Sequence, residues 1–140
     1  MSVVRLSHSE RLVLANQYAI LQKIDPEQQQ LWSLYQNIVE NGFTSHYGDL
    51  FSAIEDEMPI DDCREVMDIL DMFRAFHNSL ALMRDKSGLD QERFRFQGFD
   101  GNNETVQWAF ARFLIHDQKG WVESDTGELN SHRRILETYR

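Results

Sequence analysis

A chain of 140 residues, 41% hydrophobic and 26% charged, has the length and mix of one soluble domain or two small lobes and can bury a core without disulfides. Its net charge of -9 opposes phosphate backbones and anionic membranes; no apolar run reaches the about eighteen residues of a membrane span, and the first ten residues lack signal-peptide regions. The single cysteine, Cys63, excludes an internal disulfide and fits a reducing cytosol.

The charge is unevenly placed. Residues 1–24 carry Arg5, Arg11 and Lys23 against Glu10, residues 25–72 carry twelve acids against Arg64 alone, and residues 73–140 carry ten of each sign. The middle block therefore favours solubility or a basic partner and disfavours direct nucleic-acid or membrane contact.

The first helix is announced by Ser7 and Glu10, spaced as a capping box. Leu14, Tyr18 and Leu21 give its buried line, widened by Val13, Gln17, Ile20 and Ile24. Asn16 and Gln17 stand among apolar neighbours, where amides either bond across to another segment or mark a polar interface. Asp25-Pro26 reads as the cap and first turn of a second helix on Leu31, Leu34, Tyr35 and Ile38, stopped by Asn41-Gly42. Tyr47, Leu50, Phe51 and Ile54 suggest a short third helix before an acidic linker that ends at Pro59.

A long helix is expected over about 60–86, because Val66, Ile69, Phe73, Phe76, Leu80 and Met83 recur at spacings of three and four. The rest of the chain is expected to pack along it. His77 falls on its buried stripe, where an imidazole needs a hydrogen-bond partner, while Asp61, Arg64, Asp68 and Asp71 face solvent. Cys63 lies in the first turn, where the helix dipole favours a thiolate, but Asp61, Asp62 and Glu65 oppose ionisation, and it reads as a small buried thiol.

Residues 94–99 alternate Phe94, Phe96 and Phe99 with polar neighbours, as a minor extended segment whose rings plug the core. Thr105 to His116 reads as a helix capped by Asp100 or Asn102 and apolar on nearly every side, the pattern of a central or interfacial helix. Ser131 starts a last short helix on Ile135, Leu136 and Tyr139. Eight of the sixteen aromatics fall in residues 94–140, which nominates Trp108, Phe110, Phe113, Trp121 and Tyr139 as an oligomer interface. The fold expected is all-α: five or six helices in a single domain, or in two lobes of about 1–86 and 87–140.

Catalytic and metal chemistry have little to stand on. His8, His46, His77, His116 and His132 lack the close pairings of zinc motifs. Asp100, Asn102 and Glu104 alternate like the start of a calcium loop, but the glycine and final acid of such a loop are missing, and capping is the better reading. Glycine-rich phosphate loops and nucleophile elbows are absent. No metal, cofactor or catalytic residue is assigned.

The residues Arg11 to Tyr18 (RLVLANQY), Asp25-Pro26, Cys63-Arg64, Asp68-Ile69, His77 and Gly98-Phe99-Asp100 together resemble the YfbU family of bacterial proteins over nearly the whole chain. The resemblance implies an all-helical fold and a bacterial cytosol; it carries over no catalytic or binding residue. It also implies a further helix after the one holding Tyr139, which this sequence, ending at Arg140, does not contain.

The function expected is that of a non-enzymatic cytoplasmic protein acting through protein contacts as a homo-oligomer. Two rivals stand beside it: an acidic regulatory partner of a basic or nucleic-acid-binding protein, and an enzyme with a site around His77. A deep cleft holding converging histidine and acid groups would favour the last.

Overall fold

The computed structural model describes residues 4–140. Among these residues there are six α-helices and no strand: α1 (His8–Ile24), α2 (Gln29–Asn41), α3 (Tyr47–Leu50), α4 (Ile60–Leu82), α5 (Thr105–Arg112) and α6 (Leu136–Tyr139). The fold is all-α, as the helical periodicities imply. The chain divides into two compact units at Asp56/Glu57.

In the first unit α1 and α2 form an antiparallel hairpin. The Ser7 hydroxyl accepts from Glu10 N–H while the Glu10 carboxylate accepts from Ser7 N–H, so the capping box forms. Arg11, near the start of α1, donates to the carbonyls of Val39 and Glu40 at the end of α2, satisfying groups that a helix C-terminus leaves open. Between these ends Ala15, Tyr18 and Val39 are buried, and Tyr18, Trp32 and Tyr35 meet ring against ring. Gly42 ends α2 in the left-handed conformation at φ 70°.

Asp25 plays a different part from the cap expected of it. Its backbone is not in a capping conformation, its carboxylate accepts from the Trp32 indole at 3.1 Å, and a 3-10 turn, Pro26–Gln28, precedes α2. The stripe across Val13, Gln17, Ile20 and Ile24 also departs from expectation. These side chains are exposed, because α2 occupies the opposite side of α1, lined by Arg11, Leu14, Ala15, Tyr18 and Leu21.

The second unit is built on α4. Val66, Ile69, Leu70 and Phe73 are buried against Phe96, Phe99, Ala111, Leu114, Ile115, Leu129 and Ile135. The long helix thus organises the unit that begins at Glu57, whereas the hairpin closes a core of its own. The division lies before α4 and not near residue 86, since Phe73 and Phe76 pack on Phe94, Phe96 and Tyr139 and hold the helix to the segment that follows.

α4 is shorter than expected. It ends at Leu82, with Met83 extended, Leu82 85% exposed and Met83 40% exposed. Past Leu80 the apolar stripe is only partly covered among the described residues, and with little burial a helical turn contributes little stability.

The segment 94–99 is not a free connector. A 3-10 turn, Gln91–Phe94, leads into it, and Phe99 then pairs in parallel with Asn130: Phe99 N–H donates to Leu129 O, and Ser131 N–H to Phe99 O, both at 3.0 Å. Phe96 and Phe99 are buried, as expected of core plugs. Gly98, at φ 88°, makes the approach feasible, since a Cβ there would lie 1.9 Å from Leu129 O.

α5 runs to Arg112 and opens into a π-helical turn, Phe113–Asp117, in which Leu114 and Ile115 are buried on the same side as Ala111. Neither Asp100 nor Asn102 caps α5. The residue at that position is Glu104, whose carboxylate instead accepts from the backbone N–H groups of Asp100, Ile135 and Leu136. α6 spans only four residues, Leu136–Tyr139, because residues 131–135 are committed to the Phe99 bridge and the Glu104 carboxylate.

Candidate functional site

The second unit holds a cleft of about 400 Å³ beside the C-terminal half of α4. Phe73, Phe94 and Phe96 form its apolar floor, His77 and Lys86 stand on its wall, and Glu123 and Asp125 come from the turn after Trp121. Helical spacing sets Phe73 and His77 one turn apart on α4, with the phenylalanine in the core and the imidazole outside. His77 is thus exposed rather than buried on the stripe.

The acids of this cleft already have partners. Arg74 Nε donates to Glu123 Oε1 at 2.5 Å, and this bond holds the Glu123 carboxyl below its ordinary pKa. The same guanidinium lies 5.3 Å from the ring centre of Trp121, whose indole N–H donates to Asp71 at 2.9 Å. Asp125 meets His116 Nε2 at 2.9 Å and also accepts from Gly127 N–H; the imidazole first, and then the backbone donor, hold its carboxyl low. Such carboxylates stay ionised and engaged, a state suited to positioning and poor for accepting a proton near neutral pH.

A second cleft, of about 550 Å³, opens on the other side of Phe94 and is lined by Phe76, Arg93, Arg95, Arg133, Tyr139 and Arg140 among others. Its arginines are largely tied: Arg95 to Glu92, Arg133 to Gln97, and Arg140 to Glu65 and Glu137. Tyr139 seals its inner end, donating its hydroxyl to Gly98 O at 2.8 Å and accepting from Gln97 N–H at 3.1 Å. Burial pushes that phenol well above its ordinary pKa.

The residues nominated from sequence are dispersed. Asn16 and Gln17 are exposed in the middle of the outer side of α1. Trp108 is half-buried, donates to Glu128 O at 3.0 Å and has the Arg112 guanidinium over its ring. Phe110 is half-buried and stacks on Phe113, which is 44% exposed. Trp121 and Tyr139 are half-buried against the core of the second unit. Cys63 is half-buried, with its thiol 3.9 Å from Met58 O.

Sequence reasoning missed Lys86, Glu123 and Asp125 as neighbours of His77. They come from separate segments with no fixed spacing between them, so no motif could have grouped them. Among the described residues no three His, Cys, Asp or Glu side chains gather in a way that could hold a metal ion, and no helix is long and apolar enough to cross a membrane.

The family model described as YfbU domain matches residues 4–140. The chain belongs to the YfbU family. The match spans both units, so hairpin and α4 unit are parts of one family pattern.

Proposed function

We propose that this YfbU protein is a non-enzymatic cytoplasmic protein that acts through protein contacts as a homo-oligomer. The observation that carries the reading is the set of large apolar side chains left in solvent on each unit. On the hairpin they include Leu12, Val13, Ile20, Ile24 and Leu34; on the α4 unit Val106, Phe113 and Val122 are all more than 40% exposed. Apolar surface of this extent marks contact sites on soluble proteins. The pairing of the cleft carboxylates with Arg74 and His116 supports the same reading, since it leaves them structural work. Light scattering coupled to size exclusion tests it: a sharp oligomer across tens of micromolar is expected, and a clean monomer refutes the proposal.

A second reading rests on the cleft beside His77, whose aromatic floor and polar wall suit a small organic ligand. Thermal-shift screening of small acids and amines distinguishes it. Stabilisation that His77→Ala and Lys86→Ala both abolish would establish a ligand site, while a flat response across the screen would remove it.

A further inference from the structure

α1 carries a second apolar stripe on its outer side. At 100° per residue Leu12, Val13, Asn16, Gln17, Ile20 and Ile24 fall within one sector, opposite the Arg11, Leu14, Ala15 and Tyr18 side that meets α2. Leu12, Val13, Ile20 and Ile24 are 63%, 58%, 50% and 72% exposed. Together they present apolar surface on the order of 400 Å², large enough to mark a contact site. α1 is therefore apolar on two opposite sides, and α2 covers one of them.

From this we infer that α1 is the twofold interface of the protein, its outer stripe packing antiparallel on the same stripe of a second copy and crossing near Asn16 and Gln17. The inference rests on the homo-oligomer reading and assigns its surface.

Three features select a second copy as the occupant. The first is area. A standard interface buries about 800 Å² per partner, somewhat more than half of it apolar, and the stripe supplies about that apolar share. The second is the chemistry of its centre. Asn16 and Gln17 each carry a donor and an acceptor, so amides can satisfy one another across a twofold axis. A charged partner would find no counter-ion there, and a wholly apolar one would strand both amides. A central amide among apolar residues also fixes register, as a polar residue does in a helical seam.

The third feature is charge. Two copies of a chain at -9 repel over most of their surface, yet the stripe carries only Lys23, at its C-terminal end. An antiparallel crossing brings each Lys23 to the end where the other copy's Glu10 lies and keeps the two lysines apart; a parallel pair would set them side by side. Antiparallel helices also oppose their dipoles favourably. A closed, isologous pair is the commonest way for one surface to satisfy itself.

Two measurements test the interface separately from the oligomer. In light scattering, Val13→Glu/Ile20→Glu is expected to convert the oligomer to a species half its mass, with the helical circular dichroism of the parent retained, because both side chains are exposed in the single chain. An oligomer that survives this double substitution overturns the α1 interface while leaving the homo-oligomer reading intact; a monomeric parent overturns both. The second measurement needs no disruptive charge. In a Cys63→Ser background, Asn16→Cys is expected to form a disulfide-linked dimer on mild oxidation, because it lies beside the axis, whereas Ser9→Cys lies about 20 Å from its copy and is expected to remain unlinked. Linkage at Ser9 with none at Asn16 overturns the antiparallel arrangement, and linkage at neither overturns the interface.

Discussion

Glu104 joins three parts of the second unit through one carboxylate. It accepts from Asp100 N–H at 3.0 Å and from the N–H groups of Ile135 and Leu136 at 3.1 and 2.8 Å. Asp100, itself buried, binds Asn103 and Asn102 N–H, which hold its carboxyl below the ordinary range, the Asn103 amide most strongly. The calcium-like alternation of Asp100, Asn102 and Glu104 therefore encodes a knot in which two carboxylates accept from backbone N–H groups. Glu104→Gln keeps one acceptor and loses the charge-assisted bonds, so it should cost about 1–3 kcal/mol, read as a lower denaturant midpoint with faster amide exchange at Ile135 and Leu136.

Asp100 adds a pH dependence whose sign is fixed. A carboxyl held lower in the folded chain contributes stability that is complete above its unfolded pKa, about 3.9, and is lost as pH falls through the folded value. The stability gap between the parent protein and Asp100→Asn should accordingly be largest at neutral pH and shrink below about pH 4. Denaturant melts of both proteins at the two pH values measure it; a gap that widens in acid would show that the carboxylate is not the stabilising form.

At the scale of elements, the sequence was most legible where one local interaction decides. The Ser7–Glu10 capping box and Gly42 in its left-handed turn are nearest-neighbour effects and appear where expected. Asp25 was misread because the Trp32 indole outcompeted the helix for its carboxylate. The end of α4 was misread for a different reason: spacing reveals which residues could be buried, and only the folded unit determines which are. Met83 continues the stripe of α4 beyond its cover, whereas the helix from Thr105 keeps its expected length, its last turn being π-helical to Asp117. The middle of α4 is insensitive to these effects. Phe73 is 5% exposed and meets Phe76, Phe96 and Tyr139 at ring-centre distances of 5.2–5.8 Å, so Phe73→Ala should destabilise by about 3–5 kcal/mol. Asp68 is exposed on the same helix, and Asp68→Ala should change stability by less than about 0.5 kcal/mol. Equal costs in denaturant melts would reverse the assignment of faces.

At the scale of the whole molecule, neither clefts nor units could be drawn from periodicity, since both depend on which distant segments meet. Net charge, by contrast, is additive along the chain and survives every error in the placement of elements. Residues 1–56 carry three basic side chains against seven acidic ones, and residues 57–140 carry eleven against sixteen, so each unit is negative by itself. Of the arginines that could form a local basic patch, Arg11 is bound to the carbonyls that end α2, Arg74 to Glu123, and Arg140 to Glu65 and Glu137. Duplex DNA requires several phosphates to be neutralised at once, and each such contact steepens the dependence of affinity on salt. Here several of the arginines are held by internal partners, and the acids of both units repel the backbone. The protein should therefore show no appreciable binding to duplex DNA in a fluorescence titration at physiological salt. Micromolar affinity that collapsed steeply as salt was raised would mean that an assembly gathers Arg93, Arg95 and Arg133 into one surface, and would overturn the prediction.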